Sequence, residues 1–166
     1  GKVFRYTSNP DVATGDGVAM AYRAGARVVG MEFYQFHPTL LYHPDNNNFL
    51  ISEALRGEGA YLRLPKNLER FMVKYAPNEM ELATRDIIAK AIFNEIEQYD
   101  EDYVYLDVRH LDKDFLSNRF PTIYQTLKDL GLNLATDLIP VVPAAHYMCG
   151  GVLADVSGTT DLPRLY

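Results

Sequence analysis

Ionisable and hydroxyl side chains gather in two short stretches, Glu32-Phe33-Tyr34-Gln35-Phe36-His37-Pro38-Thr39 and Ser52-Glu53-Ala54-Leu55-Arg56-Gly57-Glu58-Gly59, where folding alone does not ask for them. Pro38 should stop any regular ladder and hold His37 extended, so that the imidazole leaves a sheet edge at a fixed angle toward a cavity. Ser52 and Arg56 stand at i and i+4 on one helical face with Glu53 beside them, which converges a hydroxyl, a carboxylate and a guanidinium. These groups grip and protonate a small anion. His146 shares the strand-end setting of His37, beside Gly150 and Gly151. Arg85 falls in the first turn of a helix, where a cation opposes the positive end of the macrodipole and helix stability gives no reason for it. Two imidazoles, Ser52 and two arginines supply the several donors that a small anion needs.

Each of these residues also has a plainer reading. A lone histidine at a strand end is more often structural, and Arg56 with Glu58 could equally form an exposed ion pair worth little. Asp16, at the start of an apolar helical stretch, reads first as a cap for free backbone N–H groups. His43 reads as a loop residue and His110 as structural. Cys149 reads as a small buried apolar side chain. The four histidines lack HExxH or any other close ligand spacing, so no metal site is expected.

The elements that must position these groups follow from periodicity and punctuation. A helix over 18–24 stops at Gly25, and 27–34 reads as a strand. Residues 45–48 form a surface loop, after which Ser52 caps a short helix ending at Gly57. Strands near 60–64 and 69–72 form a hairpin across 65–68. Thr84 caps a helix running to about Tyr99, with Ile88, Ile92 and Ile96 at helical spacing. A strand over 104–108 precedes helices over 112–118 and 121–130, the latter with proline near its start and Gly131 past its end. Residues 139–143 lead to His146, and 152–155 with a turn at Ser157-Gly158 suggest a last hairpin. The order is mixed, and the fold class is α+β.

Bulk properties narrow the function classes. The 166 residues and 48% hydrophobic content suffice for one globular domain with a real core. A net charge of −6 without a cluster of Lys or Arg argues against a nucleic-acid partner. A single cysteine excludes an internal disulfide and is compatible with a reducing cytosol. No apolar run approaches the roughly 20 residues that span a bilayer, so no membrane association is expected. The chain has no GxGxxG after a strand and no Walker A sequence. Gly1-Lys2-Val3 opens without methionine and Leu162–Tyr166 stops where a strand begins, so the chain is expected to be an excised piece of a longer polypeptide.

Taken together, Thr7-Ser8-Asn9-Pro10, Thr14-Gly15-Asp16-Gly17, Gln35-Phe36-His37-Pro38-Thr39, Ser52-Glu53, Arg56-Gly57-Glu58-Gly59, Arg70-Phe71-Met72, Leu82-Ala83-Thr84-Arg85-Asp86 and His146-Tyr147 with Gly150-Gly151 resemble the flavoprotein family of L-aspartate oxidase, succinate dehydrogenase and fumarate reductase. The resemblance covers essentially the whole chain. Pro143–Gly151 and Leu41-Tyr42-His43-Pro44 resemble the L-aspartate oxidase branch, whereas Leu106-Asp107-Val108-Arg109-His110-Leu111 leans toward the succinate and fumarate branch.

The resemblance implies a capping, substrate-covering domain over 37–140, flanked by strips of the FAD-binding domain at 1–36 and 141–166. It implies that His37 and Ser52, with Gln35 nearby, bind one substrate carboxylate and that His146 holds the other. Ser52 stands where the family has threonine and keeps the hydroxyl. Arg85 would exchange a proton with substrate, coupled to Glu53 and Arg56 as a relay, and Asp16 would contact FAD. Guanidinium is permanently protonated, so Arg85 is expected to act as a donor or transfer point and not as a free base.

The implied reaction is oxidation of L-aspartate to iminoaspartate in de novo NAD synthesis, with FAD reoxidised by oxygen or fumarate. The implied setting is the cytoplasm, with quinolinate synthase as a partner. A soluble fumarate reductase or succinate dehydrogenase flavoprotein subunit is the second reading, and a non-catalytic dicarboxylate-binding module the third. A glycine-rich FAD fingerprint is expected before Gly1 and a His-Gly-x-x-Arg segment after Tyr166. The piece alone is therefore expected to be inactive and to bind FAD weakly or not at all.

Overall fold

A computed structural model describes residues 2–46 and 48–166. The order is α1 (Asp16–Arg23), β1 (Val28–Val29), β2 (Tyr34–Leu41), α2 (Ala54–Gly57), β3 (Tyr61–Arg63), α3 (Arg85–Tyr99), β4 (Val104–Asp107), α4 (Lys113–Arg119), α5 (Pro121–Asp129), β5 (Ile139–Met148) and β6 (Gly151–Val152). The class is α+β. Four strands form an antiparallel sheet in the order β2-β5-β4-β3, and β1 pairs separately with β6.

The helices arise where the sequence signals them. Gly25 turns the chain past α1 at φ 101°, and Thr84, in extended conformation, precedes α3. Asp112 caps α4 by accepting the Phe115 N–H at 2.9 Å, and Pro121 opens α5. Ile88, Ala91 and Ile92 of α3 are buried with Leu62, Leu106 and Val141 of the sheet and with Leu116 and Leu127 of α4 and α5. This is the core. By contrast α1 buries only Ala21, and Met20, Tyr22, Val29, Met31 and Phe33 around it are exposed.

Several expected elements differ. The strand expected over 27–34 is cut to Val28–Val29 because Gly30 adopts φ 64° and the Phe33 N–H closes a turn onto the Gly30 carbonyl at 3.0 Å. The strand expected near 69–72 shrinks to a single bridge between Arg63 and Arg70, since Leu68 takes φ 59° and Met72–Lys74 winds into a 3-10 helix. In the loop expected over 45–48, Asn47 lies outside the described residues, and Asn46 bridges back to His43. The last hairpin shrinks to a single bridge between Ala154 and Thr160 around the Ser157-Gly158 turn, while β6 pairs with β1 instead.

Pro38 does not stop β2. The strand runs on to Leu41 because it lies at the sheet edge and Pro38 sits in a bulge. His37 pairs with Ala144 and Leu40 with Val142, so Pro38 and Thr39 together oppose Pro143. Both prolines thus occupy the place where the ladder needs no N–H donor. A second irregularity lies three residues further along β5. Gln35 pairs with Tyr147 and Phe36 with Ala145, which leaves His146 as the extra, unpaired residue. The β2–β5 pair carries the chain across both 36/37 and 140/141.

Candidate functional site

Bulges re-aim side chains, and the two bulges of β2–β5 bring the imidazoles of His37 and His146 face to edge, 5.4 Å between ring centroids. His37 is buried. Its Nδ1 accepts the Thr39 N–H at 3.2 Å, so in the neutral ring the proton sits on Nε2. Burial first, then the charges of Arg85 and Arg56, push its pKa down to about 3. His146 is half-buried, and burial followed by Arg85 lowers its pKa as well. Both rings are therefore neutral hydrogen-bonding groups near pH 7.

Beside β2, the Ile51 N–H donates to the Thr39 carbonyl at 3.0 Å and the Thr39 hydroxyl donates to the Ile51 carbonyl at 2.8 Å. This pairing delivers Ser52 and Glu53 alongside His37. Arg85, the first residue of α3, forks between two partners. Its Nε donates to Glu53 Oε2 at 2.8 Å and its Nη1 to Gln35 Oε1 at 2.9 Å. The bond from Arg85 holds the Glu53 carboxyl below its ordinary pKa, and Glu53 in turn raises Arg85. The opposition of Arg85 to the helix macrodipole is thus offset by a carboxylate across the cleft. A cleft of about 960 Å³ opens over this fork, lined by Gln35, Phe36, Glu53, Thr84, Arg85 and Lys90.

Arg56 is buried within α2. Its Nη1 donates to the Glu81 carbonyl at 2.9 Å, and its Nη2 lies 3.9 Å from Glu53 Oε2. Burial lowers its pKa, and Nε and Nη2 make no hydrogen bond among the described residues. The ion pair expected between Arg56 and Glu58 does not form. Arg56 turns inward, while Glu58 accepts from Arg119 Nε at 3.1 Å. Ser52 is exposed and lies outside α2, whose N-cap is Glu53, so it is neither the cap nor the helical-face partner of Arg56 that the sequence suggested; its hydroxyl accepts the Ala54 N–H at 3.2 Å at the entry to the helix.

Other candidates stand apart. Asp16 is the first residue of α1, whose cap is Gly15 at φ 85°, so the carboxylate is not the cap that position suggested. It accepts instead from the Thr14 hydroxyl at 2.6 Å. Cys149, expected to be buried, is exposed. His110 stacks on Tyr61 with 4.3 Å between ring centroids. No cluster of three His, Cys, Asp or Glu able to hold a metal occurs among the described residues, and no described helix is long and apolar enough to cross a membrane.

Two residues of this neighbourhood were not singled out by sequence reasoning. Glu81, buried in a short 3-10 helix, orients Arg56 through its carbonyl while its carboxylate takes Arg70 at 2.7 Å and the Leu62 N–H at 3.0 Å. The Ser8 hydroxyl lies 2.7 Å from His146 Nδ1 across 138 positions of sequence. No local pattern signals either contact.

Residues 2–166 match the family model described as FAD binding domain. The chain belongs to the FAD binding domain family. Among curated members with related sequences, the L-aspartate oxidase of Acinetobacter baylyi is 56% identical over 165 residues, 99% of this chain and 30% of that protein. The L-aspartate oxidase of Pseudomonas aeruginosa is 58% identical over the same shares. In solved structures, a quinol-fumarate reductase with menaquinol molecules superposes with a TM-score of 0.89 at 35% identity, covering 99% of this chain and 31% of that one. Mycobacterium smegmatis Sdh1 superposes at 0.75 and 34%, covering 93% and 26%. This chain thus spans about 30% of the length of the curated relatives it matches.

The residues present fit a flavin dinucleotide. Next to the N-terminus of α1, whose Gly15 cap makes no side-chain bond, lies a cleft of about 670 Å³, lined by Thr14, Gly15, Val18, Tyr34, His146 and Met148. Its walls are mostly apolar and include the start of α1 and His146, which suits a largely apolar ring system beside a helix N-terminus.

Proposed function

We propose that this chain is the central, substrate-covering part of an FAD-dependent L-aspartate oxidase, with residues 37–140 as the capping domain between two strips of the FAD-binding domain. The observation that carries the reading is the Arg85 fork onto Glu53 and Gln35 beside two neutral imidazoles. FAD, when bound beside Thr14, Gly15 and Asp16, supplies the acceptor for the hydride that leaves Cα of L-aspartate.

This chain's own residues do the rest. His37 offers Nε2–H to one carboxylate with the Ser52 hydroxyl beside it, and His146 takes the other. Neutral donors bind a dianion without needing protonation, so binding persists above pH 7. Oxidation of the Cα–N bond to the imine also releases a proton from the amino group. Arg85, fixed at two points, relays that proton without ever losing its charge: as it takes the substrate proton it gives its Nε–H to the Glu53 carboxylate, and Glu53, with the buried charge of Arg56 behind it, releases the proton to solvent. The dicarboxylate class suits both aspartate and fumarate, and the identities of 54–58% to L-aspartate oxidases favour aspartate. The cytoplasm is the proposed setting, with quinolinate synthase consuming the unstable imine.

The test is Arg85→Lys in the full-length enzyme. A lysine presents one point charge and cannot hold Glu53 and Gln35 with a planar fork. Turnover of L-aspartate is expected to vanish while FAD absorbance stays nearly intact. Unchanged turnover removes Arg85 from the mechanism, and a wild-type enzyme that turns over fumarate but not L-aspartate rejects the oxidase.

A further inference from the structure

We propose that Ser8 is a positioning residue that sets the ring orientation and tautomer of His146, so that His146 presents Nε2–H to the substrate. The proposal rests on the oxidase reading for the identity of that substrate, but its geometry stands apart from it. β4 pairs with β5 only at Ile139–Val141, which leaves the upper half of β5 without a neighbour on that side. Residues 6–8 fill the place as a parallel bridge. The Ala145 N–H donates to the Tyr6 carbonyl at 3.0 Å and the Ser8 N–H to the Ala145 carbonyl at 3.1 Å.

Flanking side chains lock this bridge. The Thr7 hydroxyl donates to the Ala145 carbonyl at 2.9 Å, and Asn9 Nδ2 donates to the His146 carbonyl at 3.1 Å. With its backbone held on both sides, Ser8 aims its hydroxyl at Nδ1 of the one residue that the second bulge leaves outside the ladder, 2.7 Å away. The bulge turns this residue's side chain away from the regular alternation of the sheet, so its orientation depends on contacts outside the β2–β5 ladder. No other side-chain partner of the Ser8 hydroxyl occurs among the described residues, and a hydroxyl that donates to Nδ1 leaves the ring proton on Nε2. His37 reaches the same tautomer by another route, through the Thr39 N–H. The two rings then offer like donors to the two ends of one dicarboxylate. Second contacts of this kind fix imidazole orientation in other sites.

The experiment uses the full-length, FAD-loaded enzyme with ¹⁵N-labelled histidine. Wild type is expected to show His146 as the Nε2–H tautomer, and Ser8→Ala a mixture of tautomers. In steady-state assays Ser8→Ala should raise KM for L-aspartate about tenfold with kcat within twofold, and Ser8→Thr should restore KM. A wild-type His146 in the Nδ1–H tautomer overturns the proposal. So does Ser8→Ala with KM within twofold of wild type, or failure of Ser8→Thr to rescue a folded enzyme. If wild type does not oxidise L-aspartate, the oxidase reading falls while the tautomer spectrum still decides the role of Ser8.

Discussion

Replacing Glu53 by Gln tests the arrangement where it is most exposed to refutation. The change keeps the side-chain shape and an oxygen that can accept from Arg85 Nε, now 2.8 Å from the carboxylate, but removes the charge. Arg56 then loses its nearest carboxylate, 3.9 Å away. Coulomb's law at that distance gives about 4 kcal/mol at an effective dielectric of 20 and about 1 in bulk water. The Glu53 side chain is 51% exposed, so the attraction is screened toward the lower figure. The half-exposed Arg85 pair adds a few tenths to about 1 kcal/mol. The expected loss of stability is therefore about 1–2 kcal/mol, read by urea unfolding of the full-length enzyme and smaller at 1 M salt than at 0.05 M. Turnover should fall about 100-fold or more, the usual worth of a positioned proton carrier, with KM little changed. Stability within a few tenths of wild type at low salt would refute the claim that Glu53 compensates Arg56, and unaltered kcat would refute its part in proton transfer.

Three further outcomes follow from the same geometry. Because the folded pKa of His37 is depressed to about 3, the unfolded chain takes up a proton near 6.5 that the folded one refuses. Stability therefore falls with pH between those values, by about 2 kcal/mol from pH 6.5 to 5 at roughly 1.4 kcal/mol per unit, and a His37→Gln variant with the same pH slope would contradict this. Asp107 is held at about 2, since the bonds from Arg109 and Arg63 outweigh the burial that alone would raise it. Asp107→Asn should cost about 1–2 kcal/mol at neutral pH by removing the buried carboxylate that holds the solvent-accessible Arg63 and Arg109, measured by thermal or urea unfolding, whereas Arg119→Ala at the exposed Glu58 pair should cost under about 1 kcal/mol. A Cβ at Gly150 would strike the Gly30 carbonyl, so Gly150→Ala should loosen the β1–β6 junction and cost about 1–3 kcal/mol, seen as faster amide exchange at Val28 and Val29.

Periodicity and punctuation determined the helices and β4, because a helix closes its hydrogen bonds within a few residues and its signals are local. Thr84 before α3, Asp112 before α4 and Pro121 opening α5 need no distant partner. The residue types also named a group of donors suited to a small dianion, and Arg85 stood out because it opposes the dipole of its own helix.

What joins those residues lay beyond local reading. Pro38 reads as a strand stop until it is known to lie in an edge strand opposite Pro143, where no N–H is wanted. Arg56 and Glu58 look like partners until burial turns one toward Glu81 and leaves the other to Arg119. His146 owes its aim to a bulge whose existence depends on the register of β2 against β5, more than 100 positions apart, and to a hydroxyl from the other end of the chain. Strand register and long-range burial are properties of the packed whole, since each pairing is favourable only once the loops that separate its members have closed.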